Sequence, residues 1–197
     1  LRQVVLVHMP LGHRPADAGA DGVRARERAG LAAGGAEAVR AREGEVLGAA
    51  EAVLTTSAWT RRRLVELYAL PADRVHVAEP GVDAAGLAQG SAAGGSLLCV
   101  ASVTPGKGHD VLLDGLAMLG DLRWRCECVG SLVRDAAFAE QIRARAREDG
   151  LRDRMLVRGP LPDAELDRAY AGADLLVLPS RAETYGMVVT EALARGL

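Results

Sequence analysis

The run Val100-Ala101-Ser102-Val103-Thr104-Pro105-Gly106-Lys107-Gly108-His109-Asp110 decides how the rest of the chain is read. An apolar stretch ends at a Pro and Gly turn, and a helical pattern from Asp110 to Leu119 begins directly after it. A strand that passes through a Gly-containing loop into a helix is half of a βα unit, the building block of a parallel sheet. The same alternation recurs along the chain. Strands are expected near Gln3 to Val7, Ala52 to Thr55, Val75 to Ala78, Leu97 to Ala101, Arg125 to Val129, Met155 to Arg158 and Asp174 to Leu178. Helices are expected near Glu37 to Ala50, Thr60 to Ala69, Asp110 to Leu119, Ala136 to Asp149, Ala164 to Ala171 and Met187 to Arg195. Ser57 or Thr60 is placed to cap the second helix and Asp163 the fifth, where Glu165 favours the helix dipole.

Two stretches interrupt this rhythm. Pro15 to Gly35 is rich in Ala, Gly and Arg without a clean period, and reads as a mobile loop or a poorly formed helix. Gly86 to Gly95 has little to bury and reads as a linker. The organisation expected is therefore a first α/β lobe over residues 1–85, a linker over 86–95 and a second lobe over 96–197. A ligand would sit in the cleft between two such lobes, facing the C-terminal ends of the strands.

Composition narrows the function. The 197 residues carry 24 basic and 26 acidic side chains, a net charge of −2, which leaves no electrostatic footprint for nucleic acid. With 49% hydrophobic and 25% charged residues, wholesale disorder is excluded. No run approaches the ~20 apolar residues of a membrane span, and no secretory leader is visible. The expectation is a cytoplasmic protein, or one held peripherally at the membrane. Cys126 and Cys128 are two apart on an expected strand and read as small core residues, with too few neighbouring ligands for a metal. His13, His76 and His109 show no ligand-like arrangement, and Arg61-Arg62-Arg63 reads as a solvated helix face.

The chemistry concentrates in two loops. Lys107 is the chain's single lysine, every other cation being arginine, and it falls between Gly106 and Gly108 at a helix start. A compact charge flanked by residues that allow close backbone approach suits a diphosphate. Neither a Walker loop nor a Gly-x-Gly-x-x-Gly fingerprint is present, which argues against a dinucleotide-dependent dehydrogenase. The second loop is Leu178-Pro179-Ser180-Arg181-Ala182-Glu183-Thr184-Tyr185-Gly186-Met187-Val188-Val189-Thr190-Glu191-Ala192-Leu193. It sets two carboxylates beside the amides of a helix start, so an anion and several hydroxyls of one ligand could be held together. A phosphorylated sugar offers both kinds of group.

Lys107-Gly108, Gly159-Pro160-Leu161, Tyr170, Ala173-Asp174, Pro179-Ser180 and the Glu183/Glu191 pair together resemble the nucleotide-sugar lobe of retaining GT-B glycosyltransferases of family four, with its E-x7-E motif. Ser57 and Pro80-Gly81-Val82-Asp83 resemble the interlobe segment of that family. The resemblance implies a GT-B-type α/β fold of two Rossmann-like parallel-sheet lobes, here with the first lobe partial and the second lacking its last elements. It implies a nucleoside-diphosphate sugar as donor, an acceptor of unknown kind and no metal or other cofactor. Catalytic roles would fall to Lys107, against the leaving diphosphate, to Glu183, against the donor sugar, and to His8 from the first lobe. Glu191 would accept from ribose hydroxyls. Gly186, Met187 and Val188 would offer amides, Gly108 would line the diphosphate, and the backbone at Gly159 and Leu161 would lie against the base. Ser102 departs from the family, which commonly has an arginine there as a second diphosphate contact. Either the clamp rests on Lys107 or an arginine elsewhere substitutes. The alternative is a non-catalytic nucleotide-binding or interaction module of the same fold.

Overall fold

Short β-branched runs bounded by polar turns form the strands of two parallel sheets. The computed structural model describes residues 3–10 and 24–197. The expectations at His13 and over Pro15 to Val23 lie outside the described residues. In chain order the elements are β1 (Val4–Val7), α1 (Arg24–Ala49), β2 (Ala52–Thr55), α2 (Ala58–Tyr68), β3 (Val75–Val77), β4 (Ser96–Val100), α3 (His109–Ala117), β5 (Arg125–Val129), α4 (Ala136–Glu148), β6 (Met155–Val157), α5 (Asp163–Ala171), β7 (Leu175–Leu176) and α6 (Met187–Leu193). The chain divides into two compact units between Pro80 and Gly81.

The first unit holds a parallel sheet in the order β1-β2-β3, with Val4 opposite Ala52 and Val53 opposite Val75. Val7, Val53 and Val75 bury one face of it against Leu47 of α1 and Leu64 of α2. α2 is capped as expected, the Ser57 hydroxyl accepting from the Thr60 amide at 3.0 Å. It stops at Ala69, whose φ of 49° is left-handed. Arg61 is not solvated as its Arg-rich run suggests. Its guanidinium donates to the carbonyls of Val75 and Ala72, both at 2.7 Å, and ties α2 to the start of β3. α1 begins at Arg24, so residues 24–35 of the unperiodic stretch are helical after all.

The second unit is built on a four-stranded parallel sheet in the order β6-β5-β4-β7. Alternate residues of β4 and β5 feed two different cores, as the two-residue period of a strand requires. On one face Cys99, Cys126 and Cys128 pack with Leu112, Leu113 and Leu116 of α3 and with Ala139, Ile142 and Ala146 of α4. On the other, Leu98 and Val129 pack with Tyr170 of α5 and Ala192 of α6. α4 is capped by Asp135, whose carboxylate accepts from the Phe138 amide at 3.0 Å. α5 differs from expectation: its cap position is Pro162, and Asp163 is the first helical residue, acting through the dipole rather than as a cap. β7 shrinks to two residues because it lies at the sheet edge, paired with β4 alone.

The stretch from Gly86 to Gly95 is not a free tether. The Ala88 amide donates to the Arg195 carbonyl, and the amides of Gln89 and Gly90 both donate to the Ala171 carbonyl. The Asp174 carboxylate accepts from the Ser91 amide at 2.7 Å, the Ser91 hydroxyl at 2.6 Å and the Ser96 amide at 2.7 Å. These bonds draw the carboxyl below the usual aspartate range, the Ser91 hydroxyl contributing most. Composition registered a segment with nothing to bury. The main-chain donors it presents to Asp174 do not depend on side-chain identity.

Candidate functional site

Lys107 closes a tight 3-10 turn, Pro105–Lys107, that continues into α3 through Gly108. Gly108 has φ 69°, and a Cβ there would lie 2.1 Å from the Pro179 carbonyl oxygen. Only glycine fits, and the lysine loop is thereby seated against the end of the β7 strand run. Two further ties join the loops. The Arg181 amide donates to the Gly106 carbonyl at 3.0 Å. The Arg181 guanidinium grips the Asp110 carboxylate bidentately at 2.7 and 3.1 Å and also donates to the Pro105 carbonyl. The guanidinium beside Asp110 holds that carboxyl below its ordinary value.

With its loop so placed, the Lys107 ammonium donates to Glu183 Oε1 at 2.5 Å. The pair is neither buried nor free, the side chains being 34% and 27% exposed. Sequence reasoning named both residues without joining them, since 75 residues separate them and only the packing of β4 beside β7 makes the loops neighbours.

Glu191 stands on α6, where Gly186 is the N-cap with φ 83°. Its Oε2 accepts from the Tyr170 hydroxyl at 2.8 Å. Burial and the adjoining carboxylate push the Tyr170 phenol well above its usual range, so it stays a donor. The Arg195 guanidinium lies 4.6 Å over the Tyr170 ring, bonds the Glu191 carbonyl at 3.1 Å and pairs with Asp167 at 2.6 Å. Glu191, Tyr170, Met187, Arg195, Asp163 and Asp167 share the wall of a cavity of about 510 Å³ within the second unit.

The sequence-derived candidates therefore fall into groups. Lys107, Gly108 and Glu183 meet in one place, and Glu191 and Met187 line the cavity. The amides of Val189 and Thr190 bond back to the Gly186 carbonyl, so those of Met187 and Val188 lead the turn. Gly159 accepts from the Gly130 amide at 3.4 Å, and Leu161 packs half-buried against the Leu98 and Tyr170 core. Ser102 is half-buried in the loop leaving β4. His8 follows β1 in the first unit, is exposed, and lines a cavity of about 660 Å³ with Leu6, Met9 and Val46. Sequence reasoning missed Arg181 and Asp110, which hold the lysine loop to the Glu183 loop. The signal was Arg181 inside the quoted loop, two residues before Glu183. His109 also departs from expectation: it is fully buried against Cys99 and Cys128.

Two parallel-sheet units, the second with its charged residues on the loops that follow its strands, define an α/β protein of GT-B type. Anabaena HepE, solved with UDP and glucose, has the same fold at a TM-score of 0.78 and 18% identity, over 99% of this chain and 51% of that one. Residues 95–197 match the family described as glycosyl transferases group 1, and the chain belongs to that family. It is 33% identical over 174 residues to the D-inositol 3-phosphate glycosyltransferase of Thermobispora bispora, covering 77% of this chain and 40% of that protein. It is 30% identical over 151 residues to the mannosylfructose-phosphate synthase of Agrobacterium fabrum, covering 68% and 33%. The chain thus spans about two-fifths of the length of the first of these relatives.

Proposed function

We propose that this chain forms the donor-binding part of a retaining glycosyltransferase that moves a sugar from a nucleoside-diphosphate sugar to an acceptor hydroxyl. The observation that carries the reading is the Lys107–Glu183 ion pair, set between two loops that follow neighbouring strands. A pair this exposed is worth about 0–1 kcal/mol. Diphosphate oxygens can therefore displace Glu183 from Lys107 at little cost, which frees the carboxylate for a donor-sugar hydroxyl. Glu191 is held through one oxygen by Tyr170 and turns the other to ribose hydroxyls. The amides of Gly186, Met187 and Val188 face the phosphates or the sugar, Gly108 and Ser102 line the diphosphate, and Gly159 and Leu161 back the base.

In the reaction the bond between the anomeric carbon and the phosphate oxygen breaks as the acceptor oxygen bonds to the same face. The departing phosphate oxygen takes the acceptor's proton. Lys107 neutralises the charge that develops there, and the reading involves no metal. The nucleotide in the HepE structure makes UDP the first ligand to test.

Calorimetry with UDP, GDP and ADP, followed by a donor hydrolysis assay, tests the reading. Lys107→Ala is expected to lower turnover by about 100-fold or more. Glu191→Ala is expected to raise the donor KM with a smaller effect on kcat. Normal kinetics in both variants would sink the assignment. Ser102, which brings no charge to the diphosphate, favours one second reading, a non-catalytic nucleotide-binding module. Tight nucleotide binding without any turnover is its signature.

A further inference from the structure

The face of the second sheet that α3 and α4 cover carries a group no step of the proposed reaction uses. Cys99 and Cys128 sit opposite each other in the β4/β5 register, and Cys126 lies two residues before Cys128 on the same face. All three thiols are free and buried. His109, the first residue of α3, is fully buried beside them with Nε2 3.8 Å from the Cys99 sulfur. The donor atoms of Cys99, His109 and Cys128 all lie within 4.8 Å of one another, and the Cys126 and Cys128 sulfurs are 3.9 Å apart.

Such a group is unusual inside an apolar core. His109 Nε2 has the Cys99 sulfur, a weak hydrogen-bonding partner, at 3.8 Å, and Nδ1 is buried with no hydrogen-bond partner. A buried imidazole left this way costs free energy that aliphatic packing would avoid. The geometry points to a zinc-type site: we propose that Cys99, Cys128 and His109 bind one soft divalent cation, zinc(II), as its three protein ligands. Zinc bound to thiolate at about 2.3 Å and to imidazole at about 2.0 Å has tetrahedral edges of about 3.5 to 3.8 Å. Nε2 of His109 and Sγ of Cys99 stand 3.8 Å apart, close to that separation, and the three donors, all within 4.8 Å of one another, draw together by up to about 1 Å when the ion binds. Two thiolates cancel the charge of the ion, so the filled site is neutral within the core, and the two thiol protons leave to solvent.

Position gives the site a consequence. Cys99 lies one residue before the end of the strand from which the Lys107 loop departs, and His109 begins the helix into which it returns. An ion held by both closes the base of that loop, as a staple closes a hairpin. The site does not depend on the donor reading: metal binding is measured without any nucleotide.

The test uses the full chain, freed of metal by chelator and then titrated with cobalt(II). The expected result is a thiolate-to-cobalt charge-transfer absorption that saturates at one equivalent and is displaced by zinc(II). Cys99→Ser and Cys128→Ser should each abolish it, and His109→Gln should weaken binding at least tenfold. Should a variant fail to fold, the unaltered chain still decides: at about a hundredfold excess over its Kd, zinc should raise the Tm by about 5 °C. Absence of a thiolate band with no change in Tm overturns the proposal. So does a band that survives undiminished in folded Cys128→Ser.

Discussion

At the scale of single residues, charge works here through partners that packing supplies. Lys107 and Glu183 meet because each closes a different βα loop, and the loops are held in register by Arg181. Arg181 bonds the lysine loop's backbone, yet it does not simply replace the charge absent at Ser102, since its guanidinium is engaged by Asp110 and Pro105. Its work is positional. Arg181→Ala is expected to raise the donor KM more than it lowers kcat, with Arg181→Lys restoring only part, because one ammonium cannot reproduce the bidentate grip. The pH dependence follows from the lowered Asp110 carboxyl. A depressed carboxylate stabilises the fold above the ordinary aspartate pKa of about 3.9 and loses that contribution as pH falls through its lower folded value. Acid titration of Tm should therefore show a steeper loss below about pH 4 in the unaltered chain than in Arg181→Ala.

Among the elements, the turn into α3 and the strap before β4 show how backbone decides what side chains suggest. Gly108 combines a left-handed φ with a 2.1 Å approach of its would-be Cβ to the Pro179 oxygen. Gly108→Ala must move one loop or the other, at a cost of about 1 to 3 kcal/mol in backbone strain. Differential scanning calorimetry should record that loss, and donor affinity should fall with it. The strap from Gly86 to Gly95 is anchored at its Ser91 and Ser96 end by one carboxylate. In Asp174→Ala, hydrogen exchange at the Ser91 and Ser96 amides should accelerate while β4 and β5 keep their protection. An unchanged exchange rate at both amides would show that the strap is held by other bonds.

For the whole molecule, the division between Pro80 and Gly81 leaves the first unit with one core and the second with the two that flank its sheet. Leu113 is fully buried in the α3 and α4 side of the second unit. Leu113→Ala should destabilise that unit by about 3 kcal/mol through lost burial and the cavity left behind. Because the first unit's core has none of these residues, calorimetry should show the second unit's transition moving down while the first unit's stays. A single transition that shifts as a whole would show the two units to be thermodynamically coupled.

By itself the sequence determined the alternation of strands and helices, the parallel class of sheet, and the two loops that carry Lys107, Glu183 and Glu191. Those properties are local: periodicity, caps and Gly or Pro turns act within a few residues. Strand pairing acts between residues far apart along the chain, and only the tertiary structure decided its products. It set β4 between β5 and β7, so that Lys107 met Glu183 and Cys99 met Cys128. It left Glu191 with Tyr170 at a cavity, folded the supposed linker onto Asp174, and carried His109 into the core, because burial and register are properties of the packed sheet and not of any one segment.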